Sequence, residues 1–503
     1  MTLPNKGSEA NSVPHFSRAQ RRSGTVPFAT KFFQGLGSLP GQHEDFAFQT
    51  LLLLYYSQIL GLPASYASAV LAIALIIDAV SNPIIGAWSD GFRSRLGRRH
   101  PFMFAAIVPT ALFMFLLFRP PVGLPVQGLM VWMLATTVLV RCSMAFFVVP
   151  WNAVAAELSE DYRERTSIIT YRMVLGWSVG VAFIFSTYSF IFPASKAFPN
   201  GLMDRDNYAT FAIVLSSLII VWMFTTAWMT RDQIAFLPQP TDSAPRQSFV
   251  DMVRRTLMAL TNRNFRLLFI STLFIAAVAG GNQVFDIYMN LYFWEFGPGD
   301  LRWFALAVVG AVGSFLTVGL LQKHFEKQKI MAGSVLALMI LGMLKVILRF
   351  TGVWPDNGDP LLLILLVLHT CFGAYFYAMV LIMFASMVAD IVDEQDHHTG
   401  LRQEGVFSAG ITFAAKATSG LGLVISGVLL DLVVHFPRSA VPGQVPEQTL
   451  LSLAVIDGII MPSLYLVPLF LLLRYSLTSE RLAGIQLDLK QRDQPKTEPA
   501  SAS

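Results

Sequence analysis

Long apolar runs interrupted by short polar segments dominate this chain. A helix needs about 20 apolar residues to cross a bilayer's hydrocarbon core. By that measure the pattern predicts spans near 45–61, 65–88, 101–118, 127–150, 168–193 and 207–229. After a polar stretch come 267–293, 303–322, 330–350, 361–388, 405–430 and 450–474. The predicted architecture is an all-α polytopic membrane protein of twelve transmembrane helices, arranged as two six-helix halves. The first, second, seventh and tenth spans carry polar residues and have the least sharp edges.

The segments between spans complete the layout. Residues 1–40 carry Arg18, Arg21 and Arg22 without an apolar core and cleavage site, so they read as a cytoplasmic tail, not a signal peptide. The halves occupy 41–230 and 266–475, joined by a central loop at 231–265. Residues 476–503, rich in Gln, Asp, Lys and Ser, read as a disordered tail. Arg and Lys concentrate on one side: Arg93, Arg95, Arg98 and Arg99 after span two, Arg163 and Arg165 after span four, Arg246, Arg254, Arg255, Arg263 and Arg266 in the centre, and Lys323, Lys327 and Lys329 after span eight. The opposite loops hold isolated charges such as Arg119, Lys196, Arg205 and Arg438. The positive-inside rule therefore places both termini and the central loop in the cytoplasm of a cell (inner) membrane protein.

Composition agrees. The 503 residues are 54% hydrophobic and only 14% charged, with a mean hydropathy of +0.56. A soluble chain of this size carries about 25% charge. A net charge of +4 without a compact basic run speaks against nucleic acid as a partner. The only cysteines, Cys142 and Cys371, lie far apart in apolar runs and cannot build a metal cluster.

A weak repeat relates the halves. Span four is followed by Ala156-Glu-Leu-Ser-Glu-Asp-Tyr-Arg-Glu-Arg165, and span ten by Ala389-Asp-Ile-Val-Asp-Glu-Gln-Asp-His-His-Thr-Gly-Leu-Arg402. Each has an acid past the helix end, an acidic turn, and Arg leading into the next helix. Six plus six helices in parallel repeat is the layout of a rocking transporter with its site between the halves.

Ionisable residues inside the spans cost about 2.5–3.5 kcal/mol each on insertion scales, which makes them functional candidates. They are Asp45, Asp78, Arg141, Arg172, Asp286, His369, Lys416 and Asp457. The plain alternative is that they pair with one another and fix helix packing; for His369, a hydrogen-bonded packing role is the plainer reading. Lys345 and Arg349 read as residues snorkelling from an outer helix end. Asp78 and Asn82 share a helix face, Ser81 is close, and Pro83 frees a carbonyl near Ala79, which together make a plausible cation or proton site.

These residues carry a resemblance. Asp78-Ala-Val-Ser-Asn-Pro-Ile-Ile-Gly-Ala-Trp-Ser-Asp90, Arg95-Leu-Gly-Arg-Arg-His-Pro101, Pro150-Trp-Asn-Ala-Val-Ala-Ala-Glu157, Arg163-Glu-Arg-Thr166 and Ala389-Asp-Ile-Val-Asp, with Thr-Gly-Leu-Arg402 and Lys416 behind it, stand in the order and spacing of one family. From about Gly41 to Tyr475 the chain resembles the glycoside–pentoside–hexuronide:cation symporters of the major facilitator superfamily. The resemblance implies the major facilitator fold and no enzymatic activity. It implies a cation site at Asp78, Asn82, Thr412 and Lys416. Asn82 stands where sodium-using members have a second Asp, and Ser81 and Ala145 where they have Asn and Thr. A lone carboxylate beside a lysine suits proton exchange better than sodium, so H+ is favoured as coupling ion over Na+. No other cofactor and no metal are expected.

The family's sugar site maps onto Asp45 and Arg172, while Val148 replaces its span-four Asp and Asn152 its Trp, with Trp151 adjacent. Arg141 is an added charge that either contacts substrate or pairs with Asp45 or Asp286. The substrate-binding candidates are thus Asp45, Arg141, Trp151, Asn152 and Arg172, with Trp151 able to stack on a sugar ring. Asp90, Arg95, Arg98, Arg99, Glu157, Asp390 and Arg402 are the gating candidates. Expected partners are a small molecule, such as a sugar, glycoside or uronate, the coupling cation and the lipid bilayer, for a monomeric chain. A sucrose-type proton symporter, a lysolipid carrier and a non-transporting membrane sensor remain open alternatives. A metal site at His397 and His398 beside Asp393, Glu394 and Asp396 lacks ligand spacing on a helix face.

Overall fold

A computed structural model describes residues 17–18, 25–239, 260–399 and 404–493. Among the described residues, eleven helices are individually long and apolar enough to cross a membrane. A twelfth, α1, precedes them over residues 28–59. It is assembled from Phe28–Leu36 and Leu39–Phe46 followed by wide, π-type turns at Ala47–Leu51 and Tyr55–Ile59. At 1.5 Å per residue it is about 48 Å long. The first half continues with α2 (Ala64–Gly91), α3 (His100–Leu117), α4 (Val126–Glu157), α5 (Arg163–Ile191) and α6 (Arg205–Met229). The second holds α7 (Arg263–Phe293), α8 (Pro298–His324), α9 (Lys327–Phe350), α10 (Pro360–Thr399), α11 (Glu404–Leu432) and α12 (Glu447–Leu473). A two-residue antiparallel pairing joins Ser17–Arg18 to Pro238–Gln239.

Two sequence expectations change at the edges. The first helix begins at Phe28, so residues 28–40 belong to it rather than to a tail. Gly37-Ser-Leu-Pro40 and the polar run Gln42-His-Glu-Asp45 break the hydropathy there, but neighbouring helices bury Gln34, His43 and Glu44. At the other terminus, Ser479–Asp493 forms a helix, α13, instead of a featureless tail. Its Leu482, Ile485 and Leu489 recur at helical spacing and pack into the core of the second half.

The halves meet most extensively where α2 lies against α11, and again where α5 touches the start of α8. Small residues permit the first contact. A Cβ on Gly427 of α11 would lie 1.9 Å from Ser68 Oγ and 2.9 Å from the Ala64 carbonyl oxygen of α2. Such close backbone approach is how helices associate without a hydrophobic driving force between them.

The cores show which end of the molecule is shut. One cluster extends along the first half as far as Met103 and Trp151 and crosses into the second half at the end remote from the arginine-rich loops, joining Tyr55, Tyr56, Phe118 and Tyr208 to Tyr288, Tyr292 and Leu430. Toward the arginine-rich end, one core is confined to the second half (Phe265 to Ile485) and a smaller one to the first (Val26, Val154, Ile168 and neighbours). The protein is thus sealed at the far end and divided at the basic end.

Candidate functional site

Asp78 and Lys416, 338 positions apart in sequence, form an ion pair midway along the α2–α11 contact. Asn82 Nδ2 donates to Asp78 Oδ1 at 3.4 Å from one turn further along α2. The expected cation residues therefore converge, and their central contact crosses from one half to the other. Thr412 lies one turn before Lys416 on α11.

A cavity of about 410 Å³ opens within the first half, lined by α1, α4 and α5. Asp45, Trp151 and Arg172 all face it, with Val148, Gln42 and Trp177. Arg172 bonds to Asn152 Oδ1, and its guanidinium carbon lies 3.6 Å from the Trp151 ring centroid. Trp151 is buried and is tied to α1: its Nε1 donates to the Gln34 carbonyl at 2.9 Å, and Gln34 Nε2 donates to the Trp151 carbonyl at 2.8 Å. A Cβ on Gly37 would lie 2.1 Å from that indole nitrogen, so glycine is what lets α1 approach. In this conformation Arg172 covers the indole face on which a sugar was expected to stack.

Arg141 takes a partner the sequence reading missed. It pairs with Glu44 at 3.3 Å, not with Asp45 or Asp286, and lies 4.4 Å from the centroid of Phe48. Glu44 is 3% exposed, so this pair is a packing element of the first half and does not line the smaller cavity. Glu44 stood next to the more conspicuous Asp45, and adjacent helix positions face different sides.

A larger cavity, about 810 Å³, lies between α1 and α5 of the first half and the helices of the second. Asp286, Lys345, His369 and Asp457 line it. Lys345 does not snorkel: it is 15% exposed and pairs with Asp457, itself buried, at 2.7 Å. Asp457 sits in a wide turn of α12, Ile456–Ile460, that re-aims side chains inward. His369 Nε2 and the Leu341 carbonyl oxygen lie 2.9 Å apart, which fits the packing role.

The far end is closed by polar contacts between the halves. Asp431 of α11 accepts from Ala64 N (3.2 Å), Ser65 N (2.8 Å) and Ser65 Oγ (2.5 Å) at the first turn of α2. Ser57 and Tyr288 hydroxyls lie 2.5 Å apart, and Gln58 bonds to Tyr288, Tyr292 and the Ala440 amide. Sequence reasoning passed over these residues because a polar side chain near a helix end is expected to meet water or headgroups.

At the basic end, the ion pairs given by the structure each join residues of one half. Glu157 accepts from Arg98 (2.7 Å) and Arg99 (2.9 Å), and Asp90 pairs with Arg99 (2.5 Å). Gly97, at φ +70°, makes the turn that delivers both arginines inward. Burial pushes the Arg98 guanidinium below its ordinary pKa, and Glu157 opposes that. Arg95 is exposed and stands outside the cluster. In the second half Lys327 holds Asp390 at 2.7 Å, the counterpart of Glu157 in the repeat. Arg402 lies outside the described residues. The acidic turn on α10 is engaged by α13: Arg492 meets Asp396 (2.9 Å), Arg481 meets Glu394 (3.3 Å) and His397 meets Asp488 (3.1 Å). No metal-binding group of three or more His, Cys, Asp or Glu occurs among the described residues.

Comparison with known proteins agrees with this architecture. The chain is 23% identical to an isoprimeverose transporter of Lactiplantibacillus pentosus, over 81% of this chain and 80% of that one. It is 21% identical to the putative glycoside/cation symporter YagG of Escherichia coli (strain K12), covering 87% and 90%. It is 24% identical to a putative sulfoquinovose importer of the same organism, covering 82% and 83%. The crystal structure of the nucleoside transporter NupG superposes with a TM-score of 0.60 at 13% identity, over 89% of this chain and 98% of that one, which shows the shared fold. The family described as MFS/sugar transport protein matches residues 33–479. This chain is a multi-pass membrane transporter, not an enzyme, and it belongs to that family.

Proposed function

We propose that the protein is a symporter that moves a sugar-type solute together with a cation, a proton in preference to sodium, by alternating access. The observation that carries this reading is the Asp78–Lys416 pair, because it joins the halves that must separate. Protonating Asp78 removes the charge that holds Lys416 and so biases the balance between the two conformations. Asn82 in place of a second carboxylate leaves no surplus negative charge for sodium at the Asp78–Lys416 pair. Relatives named for isoprimeverose, glycosides and sulfoquinovose support a sugar or glycoside as solute. Asp45 and Arg172, facing one cavity, would hold its hydroxyl groups, with Asn152 positioning Arg172. The Arg98–Arg99–Glu157 cluster and the Lys327–Asp390 pair would keep each half's cytoplasmic end rigid as the halves rock. Both termini would be cytoplasmic, so this conformation is the inward-facing one.

The test is external pH in a weakly buffered suspension of expressing cells. Sugars, glycosides and uronates are added in turn, with and without sodium. Alkalinisation with one compound, absent in Asp78→Asn, is the expected result. Uphill accumulation that survives Asp78→Asn would remove the coupling role, and a response that requires sodium would replace the proton.

A further inference from the structure

The intramembrane charges of the two halves do not balance in the same way. Among the ionisable residues of the first-half spans, Asp78 is paired with Lys416 across the interface, Glu44 is paired with Arg141, and Asp45 shares the smaller cavity with Arg172. Three acids meet three bases. Around the larger cavity, Asp286 and Asp457 share the single ammonium of Lys345. His369 places one ring nitrogen on the Leu341 carbonyl, and the other polar groups lining that wall are neutral: the amides Asn282, Gln283 and Asn290 and the phenols Tyr377 and Tyr465. From the first half, α1 and α5 contribute Gln49, Thr50 and Tyr188 and no charge.

Among the described residues, one negative charge is thus left over, deep in the span region. Intramembrane charge of this kind is retained where it has work to do. A second observation points the same way. The buried side-chain oxygen of Asn282, one turn before Asp286 on α7, accepts no hydrogen bond from the described residues. A carboxylate cannot donate to it, whereas a protonated carboxyl can.

We propose that Asp286, Asp457 and Lys345 form a second cation-binding centre, in the second half, which takes up one small monovalent cation, a proton or sodium. Asp286 is the acceptor: it lines the cavity openly, whereas Asp457 is buried against Lys345. Binding neutralises the centre without disturbing the Lys345–Asp457 pair. The centre rests on the reading of the chain as a cation-coupled transporter, but its occupancy is measurable without transport.

The experiment is pH-difference infrared spectroscopy of the full-length protein in lipid, in potassium and in sodium salt, following the carbonyl stretch of protonated carboxyl groups. The expected result is a band of about one carboxyl per chain that persists in Asp78→Asn and is lost in Asp286→Asn. Asp457→Asn loses it too, because one acid then faces one base; this second variant keeps the test intact where the first does not fold. Lys345→Met enlarges the band, since two acids then lack a base. A band insensitive to sodium assigns the cation as a proton, and one suppressed by sodium shows that sodium shares the site. A band lost in Asp78→Asn but kept in both Asp286→Asn and Asp457→Asn overturns the second centre and leaves the coupling role of Asp78 standing. Absence of both a band and any sodium effect overturns it as well.

Discussion

Replacing Asp431 by alanine should open the far end. The first turn of α2 follows Pro63 and has no side-chain cap of its own, so the acceptor for its free amides comes from the other half. That contact exists only while the far end is closed, so its loss penalises the closed state alone. Losing an N-cap costs about 0.5–2 kcal/mol. Losing a negative charge at a helix N-terminus costs a further ~0.3–1 kcal/mol. Together they amount to roughly 1–3 kcal/mol, a shift on the order of 5- to 150-fold in the ratio of open to closed protein. Both partners are half-buried, which places the expectation toward the lower end. The assay is alkylation of a cysteine placed at Thr50, which lines the larger cavity, with Cys142 and Cys371 replaced. An impermeant maleimide is applied from the side opposite the arginine-rich loops. The rate should rise by that factor in Asp431→Ala and less in Asp431→Asn, which keeps an acceptor oxygen. An unchanged rate in well-folded Asp431→Ala would refute the view that this contact holds the far end shut.

Gly427→Ala should act in the same direction, since its new methyl would meet Ser68 and Ala64 across the interface; overpacking of about 1–3 kcal/mol should raise the same alkylation rate. Glu44→Gln should strand the buried Arg141 charge and lower stability by about 3–5 kcal/mol in thermal unfolding of the purified protein. The double variant Glu44→Gln, Arg141→Met should recover most of that loss, and failure to do so would show that the pair has another role. Glu157→Gln leaves Arg98 and Arg99 buried side by side, with Asp90 still paired to them. Transport rate should fall while solute binding is retained, measured as uptake and as binding to the same membranes.

The sequence was most legible where composition alone decides. Eleven spans are continuous apolar runs, and bilayer thickness dictates their length. The first helix was half-hidden because Gln34, His43 and Glu44 lower local hydropathy, and their burial against α4 and α5 is a tertiary fact. Asp78, Lys416, Asp45 and Arg172 were legible through motif resemblance, since nothing local says that residues 338 positions apart will touch. Lys345 was misread because its position near the end of an apolar run does not reveal which way it faces; Asp457, in a wide turn of another helix, decides that. Asp431 was missed because a carboxylate at a helix end is unremarkable until the amides it caps are seen to belong to α2. The C-terminal helix did leave a signal in the spacing of Leu482, Ile485 and Leu489, outweighed by its charged neighbours.

The reciprocal bonds between Gln34 and Trp151 have a practical meaning. Two amide-to-carbonyl bonds and an indole seated on a glycine weld α1 to α4, so no rocking motion can change their separation without breaking both. Probes on these two helices provide a fixed ruler inside the first half. Any distance that changes relative to it during transport reports movement of one half against the other, not distortion within the first.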